Sequence, residues 1–327
     1  MSCVSARNLV SILQDENYEI FSVYITPTGE WTEARPDEIL SGADPSGPRL
    51  TLYPGGGGNF IEVASGKSMF EADVIFPMLH GLYGEDGTVQ GYLETAQAPY
   101  AGSGLLGSAC AMDKVVTKKL ASIEGVPVAD YWVVEAGAAS EVPNIETLGL
   151  PVFVKAARGG SSIGVYKVST WESLGEAIER ASHYDSKILI ETEVHGPEVM
   201  VGVLENPDGS LRVSAPGMIV PSVHAQSDFY DYEAKYNVDH EVQVPAPLQS
   251  EMIETLERFA LTTFRALGCT GIARVDFFIT EDGPVLNEVN TMSGLRDAFP
   301  KMWEESGISF VEVLKTLFGS ARLGGGR

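Results

Sequence analysis

Apolar residues recur along the chain at strand and helix periods in alternation, the pattern of an α/β (mixed α+β) architecture. Residues 5–15 predict a helix with Leu9, Val10, Ile12 and Leu13 apolar. "YEIFSVYI" (18–25) and "VIFPML" (74–79) predict strands, with the glycine-rich surface loop "YPGGGGNF" (53–60) between them. "AMDKVVTKKLASIEG" predicts a helix capped near Asp113 and closed by Gly125. "VFVKAARGGSSIGVYKV" (152–168) predicts two strands around a small-residue loop. A helix over 171–182 turns Leu174, Ala177, Ile178 and Ala181 inward, and "ILIE" (188–191) is a buried strand. Strands at 198–204 and 212–220 precede a polar excursion at 222–243, then a helix over 250–267 that stops at Gly268. A last helix starts at Ser309, with Glu312 completing a capping box, and ends at Gly319. "LGGGR" reads as a frayed tail.

One segment breaks its own pattern. "RVDFFITEDGPVLNEVN" (274–290) predicts a hairpin turning at Glu281-Asp282-Gly283, yet Asp276, Glu288 and Asn290 stand where apolar residues are expected. Glu288 and Asn290 are two apart and share a strand face, and Asp276 joins them if the register allows. Such an all-oxygen set suits a hard divalent cation, above all magnesium; the bland alternative is the solvent face of an amphipathic hairpin.

A chain of 327 residues suits two or three packed units, and its 44% hydrophobic content supplies a sizeable core. The net charge of −23 argues against nucleic acid as a partner. No apolar run reaches membrane-spanning length, so a cytoplasmic protein without membrane contact is expected. Three scattered cysteines, Cys3, Cys110 and Cys269, suit a reducing compartment rather than a disulfide framework.

A magnesium held by carboxylates usually bridges phosphates, so phosphate-binding cations are expected elsewhere. Lys155 ends a strand just before the loop "AARGGSS", where a lysine and backbone N–H groups can close over a triphosphate. Lys114 and Lys235 are weaker candidates on their own terms. In "IETEVHGPE" (190–198), backbone groups near Glu193 and Val194 can read an adenine, and Glu198 can accept from ribose hydroxyls. "HGLYGEDGTVQGYLE" (80–94) follows a strand, and its His80 can act as a base or donor oriented by Glu85. "SGKS" (65–68) imitates the end of a P-loop, but Ile61 stands where that motif needs glycine.

Together, "HGLYGEDGTVQGYLE", "PYAGSGLLGSACAMDK", "VKAARGGSSIGV", "FYDYEAKY", "GIARVDFF" and "LNEVNTM" make the chain resemble D-alanine–D-alanine ligases of the ATP-grasp superfamily, from about Ser5 to Phe318. The resemblance implies an ATP-grasp fold with a Rossmann-like N-terminal part (1–102), a central part (103–190) and a C-terminal part (191–327). It implies ATP-dependent joining of two D-alanines through an acyl phosphate, for peptidoglycan precursors, with a homodimer as a family expectation. Asp276, Glu288 and Asn290 would bind two magnesium ions, manganese being an alternative; Lys114, Lys155 and Lys235 would contact phosphates. Glu191, Glu193, Val194 and Glu198 would surround adenine and ribose. Arg274 and the Gly294 N–H would form an oxyanion hole. Tyr236 would meet Ser161 when the polar excursion closes, and His80 would sit near the second substrate.

Two departures qualify the resemblance. The family opens with a strand and a glycine-rich turn carrying a glutamate, whereas the given sequence begins at "MSCVSARNL"; a start set too far downstream is the expectation. The family's Asn-Thr-Met-Pro-Gly is here "NTMSG", and no serine matches the usual binder of the second carboxylate; Arg296 could replace it. A different second substrate, such as D-serine, or an inactive ATP-binding paralogue are the alternatives.

Overall fold

In the computed structural model, which describes residues 2–41, 45–137, 145–160, 163–220, 241–292 and 298–323, the predicted alternation of elements is realised around three sheets of three or more strands and two two-stranded pairings. Helix α1 (Ser2–Leu13) buries Ser5, Leu9, Val10 and Leu13. Strands β1 (Ser22–Ile25) and β2 (Trp31–Ala34) pair antiparallel, α2 follows (Pro36–Ser41), and β3 (Leu50–Leu52), β4 (Asn59–Glu62) and β5 (Ser68–Glu71) form an antiparallel sheet. Helix α3 (Thr88–Ala96) lays Val89 and Leu93 against Leu50, Leu52, Phe60 and Phe70 of that sheet.

Both strand predictions in this region shrink. Of 18–25 only Ser22–Ile25 is strand, and of 74–79 only Ile75 pairs, in a parallel bridge to Tyr100 of β6 (Pro99–Tyr100). A strand is defined by its partners, and an apolar run without one stays extended but unladdered.

The next region begins with α4 (Leu105–Met112) and α5 (Lys114–Ile123). Asp113 separates them: its carboxylate accepts from the N–H groups of Val115 and Val116, both at 3.1 Å, which starts α5. Gly125, at φ 77°, lies just beyond the helix. Strands β7 (Tyr131–Glu135), β8 (Val152–Ala156), β9 (Val165–Val168) and β10 (Lys187–Thr192) form an antiparallel sheet in the order β7-β10-β8-β9. Helix α6 (Leu174–Ser182) covers it with the four residues foreseen, Leu174, Ala177, Ile178 and Ala181. The expected division at 190/191 falls inside β10.

The third sheet holds β11 (Glu198–Glu205), β12 (Leu211–Val213), β13 (Gly217–Val220), β14 (Glu241–Gln243), β15 (Ile272–Thr280) and β16 (Gly283–Asn290). The strand expected over 212–220 is split in two, and Ser214 in the gap accepts from the Gly202 N–H at 2.8 Å. Helix α7 (Ser250–Ala266) packs Leu256, Phe259 and Phe264 against Val199, Val201, Val203, Val275 and Phe277. On the opposite side lie α8 (Ala298–Glu305) and α9 (Phe310–Gly319), whose Met302, Trp303, Val313 and Leu314 pack with Met200 and Leu204 and with Leu9 and Leu13 of α1. β11 is thus buried on both faces, which is why it reads as an unbroken apolar run. Ser309 caps α9 by accepting from the Glu312 N–H at 3.2 Å, while the Glu312 carboxylate accepts from Arg212 at 3.1 Å. The tail prediction fails at its first residue: Leu323 belongs to β17 (Arg322–Leu323), which pairs with β6. Among the described residues no helix is long and apolar enough to cross a membrane.

Candidate active site

The β15–β16 hairpin turns at Glu281-Asp282, with Thr280 opposite Gly283, and its register decides the site. Asp276 lies opposite Glu288 and Arg274 opposite Asn290. Val275, Phe277 and Val289 belong to the core under α7, so the side chains at 274, 276, 288 and 290 face the other way, together. Arg274 grips Asp276 in a two-bonded fork, Nε to Oδ1 at 2.8 Å and a terminal nitrogen to Oδ2 at 2.7 Å. The Asn290 amide donates to Asp276 Oδ2 at 3.0 Å. Burial opposes the charge of Arg274, but the carboxylates of Asp276, Glu288 and Glu198 outweigh it and raise its pKa above the ordinary value.

Lys114, at the start of α5, joins this hairpin to the glycine-rich loop. Its ammonium lies 3.3 Å from Glu288 Oε2 and donates to the Gly159 carbonyl at 2.6 Å. The base of that loop is pinned from behind: the Arg158 backbone N–H and side chain both bond Asp185, at 2.5–3.0 Å, and Lys187 bonds Asp113 at 2.5 Å.

Across the cleft, Lys155 of β8 donates to Glu191 Oε1, and Lys118 of α5 bonds Glu191 Oε2 at 2.9 Å. Burial alone would raise the Glu191 carboxyl, but the two lysines outweigh it and bring it down to about 2. Burial depresses Lys118 below the ordinary lysine value, with Glu191 opposing. Glu193 pairs with Lys167 at 2.7 Å and lies 3.5 Å from His195 Nε2. Val194 follows, half-buried, and Glu198 opens β11 with Asn287 donating to it at 3.4 Å.

His80 is tied to α1. Its Nε2 lies 2.9 Å from Ser5 Oγ, and its backbone N–H donates to Ser2 Oγ at 3.0 Å. Glu85 accepts from the Gly81 N–H at 2.6 Å and from the Met292 backbone. Burial pushes its carboxyl up to about 7, Arg274 opposing and Glu288 adding to the rise. Glu85 therefore braces its own loop against the end of the hairpin, a position its sequence neighbourhood with His80 does not reveal.

The structure thus gathers Arg274, Asp276, Glu288, Asn290 and Lys114 at one place and Lys155 and Glu191 at another. Ser161, Lys235, Tyr236, Gly294 and Arg296 lie outside the described residues. Lys118 was missed by sequence reasoning. The signal was there: Lys114, Lys118 and Ala121 stand at i, i+4, i+7 on the buried face of α5.

Among the described residues no three His, Cys, Asp or Glu side chains converge as a metal site. The hairpin set is two carboxylates and an amide. Asp276 Oδ2 already accepts from Arg274 and Asn290, whereas Oδ1 accepts from Arg274 alone and keeps a second lone pair. These hard oxygens fit a divalent cation whose remaining ligands are phosphate oxygens and water.

Two family models match the chain: D-Ala D-Ala ligase N-terminus over residues 1–103 and D-Ala D-Ala ligase C-terminus over residues 120–319. The chain belongs to the D-alanine–D-alanine ligase family. It is 46% identical to the D-alanine–D-alanine ligase of Mycolicibacterium gilvum (strain PYR-GCK), over 98% of this chain and 93% of that protein. It is 43% identical to the D-alanine–D-alanine ligase of Mycobacterium bovis (strain BCG / Pasteur 1173P2), over 98% and 91%. Among solved structures, the Coxiella burnetii D-alanine–D-alanine ligase aligns with a TM-score of 0.84 at 30% identity, over 97% of this chain and 88% of that one. The VanG D-Ala:D-Ser ligase of Enterococcus faecalis aligns at 0.85 and 32%, over 97% and 94%. The chain is therefore a ligase with the ATP-grasp fold, of a family that uses ATP, generally with a divalent metal.

Proposed function

We propose that this enzyme joins two D-alanines to D-alanyl-D-alanine for peptidoglycan precursors, in two steps. The carboxylate of the first D-alanine attacks the γ-phosphorus of ATP, giving an acyl phosphate and ADP. The amine of the second D-alanine attacks the acyl carbon; phosphate leaves and the amine loses a proton. Asp276, Glu288 and Asn290 are the residues to hold two magnesium ions, with manganese as an alternative. When bound, these ions neutralise the charge of the β- and γ-phosphates. Lys114, Lys155 and Lys235 neutralise the phosphates from the other sides. Glu191, Glu193, Val194 and Glu198 border the adenosine.

Arg274, with the Gly294 N–H, receives the oxyanion of the tetrahedral intermediate. Ser161, Tyr236 and His80 orient the amino acids, and Arg296 takes the second carboxylate. The division at 102/103 and 190/191 into three parts, and a homodimer, belong to the same reading.

The observation that supports it best is the register of the β15–β16 hairpin, which sets Asp276 opposite Glu288 and Arg274 opposite Asn290, on the face where Lys114 reaches Glu288. Incubation with ATP, magnesium and D-alanine should release phosphate and yield a product with the mass of the dipeptide. No phosphate release with any D-amino acid would contradict the reading. A second reading, D-serine as second substrate, draws on the VanG likeness. A mixed D-Ala/D-Ser incubation separates the two by product mass.

A further inference from the structure

Lys118 is the buried cation that the proposed reaction leaves without a task. Its side chain is 2% exposed, against 13% for Lys155, and it reaches no surface from which it could touch a ligand. We propose that Lys118 is a positioning residue for ATP binding: it neutralises Glu191 so that Lys155 can turn from that carboxylate to the triphosphate. This rests on the reading that Lys155 meets the phosphates.

The geometry divides Glu191 between two partners. Oε2 belongs to Lys118, from the helix behind the sheet, and Oε1 belongs to Lys155, from the adjacent strand β8. Glu191 itself is 5% exposed, so no water replaces a partner that leaves. A buried carboxylate stripped of its only cation is strongly unfavourable, and that penalty would hold Lys155 in place. With Lys118 fixed on the second oxygen, the carboxylate stays compensated while Lys155 moves. The local charge supports this: two lysines face one glutamate, which leaves one positive charge for the incoming phosphates. Lys114 lies near enough to Lys118 to depress it, but its own charge is matched by Glu288.

The test measures dissociation constants of ATP with magnesium, and of adenosine, on the full chain by calorimetry. Lys118→Met keeps the volume and removes the charge. ATP should bind about tenfold more weakly, while adenosine, which lacks phosphates, should change by less than about threefold. In turnover, KM for ATP should rise while KM for D-alanine holds. An equal loss for adenosine and ATP would place Lys118 behind the base or the whole cleft and overturn the inference. So would unchanged ATP binding in Lys118→Met alongside normal binding by the natural chain, an outcome that leaves the proposed function standing. Failure of the natural chain to bind ATP would remove the functional reading and this inference with it.

A second comparison serves even if the single variant does not fold. Lys118→Met/Glu191→Gln leaves no carboxylate unpaired there, and its ATP affinity should match that of Glu191→Gln within about threefold, since Lys118 acts only through Glu191. A tenfold difference between those two variants would overturn the inference.

Discussion

Two walls of the cleft use the same side-chain types to opposite ends. On the β8–β10 wall, Glu191 is buried and both of its oxygens are taken by lysines, so the cluster carries a net positive charge. On the β15–β16 hairpin, Asp276 and Glu288 are matched by Arg274 and Lys114, two charges of each sign, and Glu288 keeps 18% side-chain exposure. In the proposed function the first wall supplies the cation for phosphate. In the same reading the second wall gains positive charge by taking up metal ions. Burial alone does not separate the two walls, since Asp276 is 1% exposed and Glu191 5%; the difference lies in the cations each carboxylate is given.

The largest test of that contrast is Asp276→Asn. It keeps the shape and halves the hairpin's carboxylates, and phosphate release with ATP and D-alanine should fall at least 1,000-fold, roughly 4 kcal/mol. Activity within tenfold of the natural enzyme would make the two walls equivalent. Next is Arg274→Met, which leaves Asp276 uncompensated at 1% exposure. Urea unfolding should show a loss of about 3–5 kcal/mol.

The two raised and lowered carboxyls sharpen the contrast through pH. Glu191 is depressed in the fold from 4.5 to about 2, so its contribution is complete above pH 4.5 and lost as pH falls towards 2. Glu191→Gln should flatten acid destabilisation across that window, by on the order of 2–3 kcal/mol. Glu85 shifts the other way, from 4.5 to about 7. The folded state then holds a proton that the unfolded chain releases, so stability falls as pH rises from about 4.5 to 7. Glu85→Gln should remove that fall, worth on the order of 1–3 kcal/mol, in thermal melts of ligand-free enzyme at pH 5 and pH 8. Parallel slopes in the variant and the natural chain would place Glu85 in water.

Legibility followed the same division. The hairpin was readable because Glu288 and Asn290 stand two apart and share a strand face, and the register brings Asp276 opposite Glu288 just before a bulge at Asp276/Phe277. The position of Lys155 near the end of β8, before the glycine-rich loop, was readable. Lys118 was not, because a lysine in a helix is normally solvated and only its i+4 relation to Lys114 betrays an inward face. The Glu85 carboxylate accepts from Gly81 and from the Met292 backbone, contacts that its closeness to His80 in sequence does not reveal. The strands expected at 18–25 and 74–79 shrank because apolar content does not supply a pairing partner, whereas 198–205 is flanked on both sides and forms in full. The shared face of the hairpin oxygens was therefore legible, and the pairing of Lys118 with Glu191 behind Lys155 was not.

The most direct measurement is calorimetric titration of ATP into the enzyme with magnesium and again with the metal chelated, on the natural chain and on Asp276→Asn/Glu288→Gln. The natural chain should bind ATP at least about 100-fold more tightly with magnesium, and the double variant should lose that enhancement. Equal affinity with and without magnesium in the natural chain, or an undiminished enhancement in the double variant, would contradict the assignment of the hairpin as the metal-binding wall.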